Sequence, residues 1–137
     1  MAHRSIFARL VLLVVLLIVV LIPYGSIAER LPWFGAIVNG LFASEAAHAV
    51  AHTLGFIAVG TFLLRIFPGL LARPWLYFGL ILAVALAQEG LQLLMKGRGV
   101  VLNDITDIGT DLVAAGLVFA LARAATRSSP SRSPVVE

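Results

Sequence analysis

The sequence predicts an all-α fold: a small polytopic membrane protein built as a four-transmembrane-helix bundle. Three observations carry that expectation. Of 137 residues, 61% are hydrophobic and 12% charged, whereas an ordinary soluble domain has about 45–50% apolar and about 25% charged residues. One water-soluble core in so short a chain cannot hide that much apolar surface; a bilayer can, because lipid is then the solvent. Second, the apolar residues fall into four stretches near the ~20 helical residues that cross ~30 Å of hydrocarbon. Third, the stretches are continuous and do not alternate at period two, which favours helices over barrel strands.

Element by element, the chain reads as one transmembrane domain over 1–122. The first span covers about 6–24, with Arg9 near its start able to snorkel toward the interface. A rival reading takes Arg4, Arg9 and the apolar run as a signal peptide, with Ser26-Ile27-Ala28 as a small-x-small cleavage site. The run is long for a signal peptide, and either outcome leaves the other spans in the same orientation. Pro23, Gly25, Pro32 and Gly35 break the first connector. The second span covers about 46–67. Pro68, Gly69 and Pro74 bracket the next turn, and Pro74 is suited to the first turn of a third span over 74–95. Gly97 and Gly99 open the last connector, and the fourth span, 105–121, is the shortest and most polar. Serines and prolines dominate the tail, so 123–137 is expected to be a disordered cytoplasmic segment.

Orientation comes from the basic residues. With the N-terminus inside, the cytoplasmic face receives Arg4, Arg9, Arg65, Arg73, Arg123, Arg127 and Arg132, and the outer face Arg30, Lys96 and Arg98. The expected location is the plasma (inner) membrane, and within it the positive-inside rule places both termini in the cytoplasm. The net charge of +3 does not signal nucleic-acid binding, because no basic residue lies in an aromatic-rich strand or recognition-helix pattern. The chain has no cysteine, which excludes disulfides, iron–sulfur clusters and thiolate zinc sites.

The acidic residues point to where chemistry would occur. Glu29, Glu45, Glu89, Asp104, Asp107 and Asp111 all fall on the outer half, and His48 and His52 join them. At ~1.5 Å of rise per residue, His52, Glu89 and Asp111 each lie about 9 Å below the outer end of their span. A charge in hydrocarbon costs about 2.5–3.5 kcal/mol on insertion scales, so such groups should face the bundle interior or a wet cavity. Glu45, His48 and His52 share one helical stripe, as do Asp104, Asp107 and Asp111, and Glu89 neighbours Gln92. The candidate polar pocket is thus His48, His52, Glu89, Gln92, Arg98, Asp107 and Asp111. Arg98 would clamp a carboxylate or phosphate in bidentate fashion, Asp104 would cap the fourth helix, and Lys96 would anchor at the interface. No cofactor is predicted, although His48 and His52 with Glu89, Asp107 and Asp111 would suffice as ligands for a divalent metal, His48, His52, Glu89 and Asp111 foremost.

Two blocks resemble the VanZ-like family of bacterial membrane proteins. One is Ser44-Glu45-Ala46-Ala47-His48 with the apolar run through Phe56. The other is Gln88-Glu89-Gly90-Leu91-Gln92, then Lys96-Gly97-Arg98, then Asp104 to Gly116. Together they span about half the chain. Glu45 stands where the family usually has lysine, His52 replaces a frequent aromatic, Asp111 stands at an asparagine position and Ala114 at a glycine. Two registers fit the last helix, one on Asp107 and Asp111 and one on Asp104 with Ile108. The family takes its name from a protein associated with low-level resistance to teicoplanin, a glycopeptide antibiotic. The resemblance implies an envelope membrane protein without assigning a reaction.

These residues support three functional expectations. The first is an outward-facing pocket for an amphiphilic envelope molecule with a lipid-linked or glycopeptide headgroup. The second is an intramembrane hydrolase or transferase with histidine–carboxylate acid–base chemistry. The third is a small transporter or membrane partner subunit, for which a homo-oligomer would supply the path that four spans lack.

Overall fold

The computed structural model describes residues 2–41 and 44–128, with the side chains of residues 2–5 and of Glu45 excepted. Every regular element among them is helical: α1 (Ala2–Leu21), α2 (Tyr24–Arg30), α3 (Pro32–Leu41), α4 (Glu45–Ile66), a 3₁₀ turn (Pro68–Ala72), α5 (Pro74–Lys96) and α6 (Leu102–Ser128).

The boundaries obey local chemistry. Ser44 caps α4, its hydroxyl accepting from the Ala47 amide at 3.2 Å. Pro74 opens α5, and Gly97 closes it in the left-handed conformation, φ 60°, which a residue without Cβ adopts at little cost. Asp104 reaches back to accept from the Val101 amide at 2.8 Å, the acidic half of a capping box at the start of α6. Thr53 and Thr110 return their hydroxyls to the carbonyls of Ala49 and Thr106, so neither needs water.

Three helices among the described residues are long and apolar enough to cross a membrane: Ala46–Ile66, Pro74–Lys96 and Leu102–Ser128. Large apolar side chains cover the outside of the helices as well as filling their core. Leu94 is 80% and Trp75 73% exposed, whereas His52, Glu89, Asp104 and Asp111 are buried. Exposed large apolar side chains around buried polar ones suit lipid as the surrounding solvent.

The structure corrects the expected elements in three places. The first span does not run unbroken to Tyr24: α1 stops at Leu21, and α2 leaves it at a 60° bend. Pro23 lacks an amide hydrogen and restricts the residue before it, so the helix cannot continue through it. The Tyr24 hydroxyl instead donates to the Val19 carbonyl at 2.8 Å, satisfying an acceptor near the end of α1. The expected first connector is mostly helical, as α2 and α3. Pro32 starts α3 as a first-turn residue, and Phe34 packs against Tyr24 and Trp33 with ring centroids 6.4 Å and 5.7 Å apart. Third, α6 begins at Leu102 and continues to Ser128, so residues 123–128 extend this helix and are not part of an irregular tail. Alanines 122, 124 and 125 favour helix there. Residues 129–137 lie outside the described residues.

The core sits where α4, α5 and α6 meet. Phe56, Val59, Tyr77, Ile81, Ala85, Ala114 and Ala115 are all at most 1% exposed. Gly60 admits the Tyr77 ring: a Cβ there would collide with the Tyr77 hydroxyl and lie 3.7 Å from the Ala115 Cα. That hydroxyl donates to the Ala115 carbonyl at 3.0 Å, tying α5 to α6 beside α4. Gly90 and Gly109, by contrast, face open space. Along α5 the buried ladder is Tyr77, Ile81, Ala85 and Glu89, four residues apart at each step. His52 precedes Phe56 by four residues, and Asp111 precedes Ala115 by four. All three helices therefore carry their ionisable group on the same stripe as their core residues, one turn further along.

Candidate functional site

The polar cluster is built by α4, α5 and α6 one turn beyond the apolar core. At its centre His52 Nδ1 lies 3.1 Å from Asp111 Oδ1, with both side chains almost fully buried. An ionised carboxylate only accepts, so with Asp111 ionised Nδ1 carries the hydrogen and Nε2 keeps its lone pair. The Gln88 side-chain amide then donates to Nε2 over 3.4 Å. Glu89 Oε1 lies 4.0 Å from the same nitrogen. His48, one turn earlier on α4, lies beside His52 with ring centroids 4.7 Å apart and the rings tilted by 51°. Its Nε2 lies 3.6 Å from Asp107 Oδ2, also one turn earlier on α6. Because α4 and α6 run side by side in the same direction, their matched i, i+4 pairs meet rung by rung: His48 with Asp107 and His52 with Asp111.

Three buried oxygens in this cluster, Gln88 Oε1, Glu89 Oε1 and Asp111 Oδ2, have no hydrogen-bond partner among the described residues. A buried acceptor without a donor costs about 1–3 kcal/mol. One ligand atom from each of His48, His52 and Asp107 can be chosen so that all three lie within 4.8 Å of one another, an arrangement able to hold a metal ion. Among the carboxylates expected as ligands, Asp107 takes the ligand position, and Asp111, placed foremost with Glu89, instead meets His52 Nδ1.

Arg98 stands apart from this cluster. Its Nη1 and Nη2 donate to Asp104 Oδ2 and Oδ1 at 2.8 Å and 2.7 Å, and Nη1 also donates to the Gly99 carbonyl. The expected clamp therefore forms, but on a carboxylate of the chain itself. Asp104's hydrogen bonds raise the already strongly basic guanidinium further. Asp104 both caps α6 and holds the Arg98 loop, which explains how a carboxylate 6% exposed remains charged.

A cavity of about 440 Å³ opens beside the cluster, between α1, α2, α3, α4 and α5. Val19, Val20, Val38 and Phe56 form apolar wall, and Asn39, His48, His52, Gln88, Gln92 and Lys96 supply polar groups. Gln92, expected beside Glu89, belongs to this wall and accepts from Lys96 Nζ at 3.1 Å. So α5 has two working faces: 77, 81, 85 and 89 toward the core, and 88, 92 and 96 toward the cavity.

Sequence reasoning missed Gln88, Asn39 and the cavity role of Lys96. The spacing 88, 92, 96 marks one polar stripe that could have revealed two of them. Asn39 carried no such signal, because its position depends on the α2–α3 pair packing back toward the bundle.

No family model, no curated protein and no solved structure matches the chain.

Proposed function

We propose that this chain is a VanZ-like protein of the bacterial envelope whose cavity receives the polar end of an amphiphilic molecule. In this reading the bent α1–α2 pair, α4, α5 and α6 make four spans, both termini are cytoplasmic, and the cavity lies toward the extracytoplasmic side of the inner membrane. A lipid-linked or glycopeptide headgroup is the class of ligand, in keeping with the family's association with teicoplanin.

One observation carries the proposal: a cavity of about 440 Å³ that joins apolar wall to polar groups at the level of a buried histidine–carboxylate cluster. An amphiphile needs both surfaces in one site. Lys96 is the cation among the lining residues, so an anionic headgroup is favoured.

The test is retention of envelope lipids by the purified full-length protein, read by native mass spectrometry. Val19→Trp, which narrows the cavity from a wall position with an exposed side chain, is expected to abolish retention while helicity is kept. Lys96→Met is expected to shift the retained species toward uncharged headgroups. A Val19→Trp protein with the same lipid profile as the wild type would remove the cavity from consideration.

The His52–Asp111 pair supports a second reading, in which the bound molecule is also turned over by a hydrolase or transferase. Asp111 holds the ring so that Nε2 is the basic atom, the arrangement of a general base. Conversion of the retained lipid by the wild type, lost in Asp111→Asn, separates catalysis from binding.

A further inference from the structure

We propose that His48, His52 and Asp107, with Glu89 beside them, form a binding site for one divalent transition cation of the zinc class. Four observations converge on it. Ligand atoms from the three residues already lie within 4.8 Å of one another. Tetrahedral zinc with bonds of about 2.0–2.1 Å sets ligand atoms about 3.4 Å apart, so His48 and Asp107, both only partly buried, need to close by little more than an ångström.

The second observation is the support behind His52. A metal-bound imidazole almost always donates its other nitrogen's hydrogen to a carboxylate or carbonyl, which fixes the tautomer and aims the lone pair. Asp111 Oδ1 occupies that position on Nδ1 at 3.1 Å. Third, Glu89 is 4% exposed, its Oε1 has no hydrogen-bond partner among the described residues, and that oxygen lies 4.0 Å from His52 Nε2. A cation bound at Nε2, displacing the long hydrogen bond from the Gln88 amide, gives it the counter-charge it lacks.

Fourth, the charges of the cluster are otherwise unmatched. Glu89, Asp107 and Asp111 make no ion pair with arginine or lysine among the described residues, since Arg98 is held by Asp104. Protonating both histidines would still leave one of the three negative charges unanswered and would place two imidazolium rings 4.7 Å apart. One divalent ion shared by both rings avoids that repulsion. The donor set, two imidazoles with carboxylates and no thiolate, suits zinc better than calcium or magnesium, which take oxygen ligands.

His48 and His52 also line the cavity, so the cation lies in its wall. The site does not require that the cavity hold an amphiphile.

The experiment uses full-length protein, stripped with chelator and dialysed against zinc chloride. Metal content is read by elemental mass spectrometry, and thermal stability in zinc is compared with magnesium. About one zinc per chain and a higher melting temperature in zinc alone are expected, because a ligand that binds only the folded state stabilises it. His48→Gln and Asp107→Asn should each weaken zinc binding at least tenfold, and Asp111→Asn, which removes the support behind His52, by about 10–100-fold. Val19→Trp should leave zinc binding intact, so failure of the cavity reading and failure of the metal reading are distinguishable. Sub-stoichiometric zinc in the wild type, or full binding by the His48→Gln/Asp107→Asn double variant, overturns the proposal. Should the variants not fold, diethyl pyrocarbonate labelling of wild-type His48, mapped by peptide mass spectrometry, decides. Protection by zinc supports the site, and unchanged labelling overturns it.

Discussion

At the scale of single residues, the informative contrast is between two carboxylates on α6. Asp104 accepts from Arg98 twice and from the Val101 amide once, so its charge is answered within its own loop. Asp111, two turns along, hydrogen-bonds His52, and its Oδ2 has no partner among the described residues. The first serves structure, and the second is available to chemistry. Arg98→Gln should therefore lower the melting temperature without changing lipid retention or zinc content. Asp104→Asn should lower it too, and the double variant should be no worse than the poorer single variant, because each change removes the same interaction. Additive losses in that cycle would show that the two residues act independently.

At the scale of elements, α4 and α6 are held together by the smallness of what lies between them. Gly60 leaves room for Tyr77 to insert its ring and donate to the Ala115 carbonyl. Gly60→Ala is expected to cost about 1–3 kcal/mol by overpacking. Tyr77→Phe, which keeps the ring and loses only the hydrogen bond, should cost about 0.6 kcal/mol, a typical value for such a bond in a membrane bundle. Unfolding of purified protein in mixed micelles under rising denaturing detergent measures both. Equal losses for the two variants would show that the steric contact at Gly60 is not what fixes the packing. The same contact governs the site: if α4 slid by one turn along α6, His52 would face Asp107 and His48 would face Asp104, a carboxylate that Arg98 already holds.

At the scale of the whole molecule, polar groups occupy the interior at one end and arginines gather toward the other. Arg65, Arg73, Arg123 and Arg127 lie near the ends of α4 and α6 and the start of α5. If positive charge stays inside, Val100, in the connector between α5 and α6, is extracytoplasmic, and Gly69, between α4 and α5, is cytoplasmic. A membrane-impermeant maleimide applied to intact cells should label Val100→Cys and spare Gly69→Cys. The reverse pattern would invert the orientation and move the cavity to the cytoplasmic side.

Much of the architecture was legible in the chain. Composition and the long apolar runs led to an all-α structure with membrane-length helices. The i, i+4 spacings of His48 with His52 and of Asp107 with Asp111 put each pair on one stripe, because helical periodicity is a local property. The depth of His52, Glu89 and Asp111 was readable for the same reason: helical rise converts position into height. Interruption by Pro23 was visible as punctuation, but whether the chain would loop or start another helix was not. Steric exclusion ends a helix without specifying the conformation of the next residues.

What only the tertiary structure decided is which stripe faces which neighbour. Sequence spacing could not tell whether Arg98 would reach a ligand or Asp104, or whether Asp111 or Asp107 would stand at the ligand position. Nor could it show that α1, α2 and α3 would wall a cavity lined on one side by Gln88, Gln92 and Lys96. Each of these depends on the relative rotation and register of helices distant in sequence. Those are set by packing around Gly60, Tyr77 and Ala115, which no local pattern encodes.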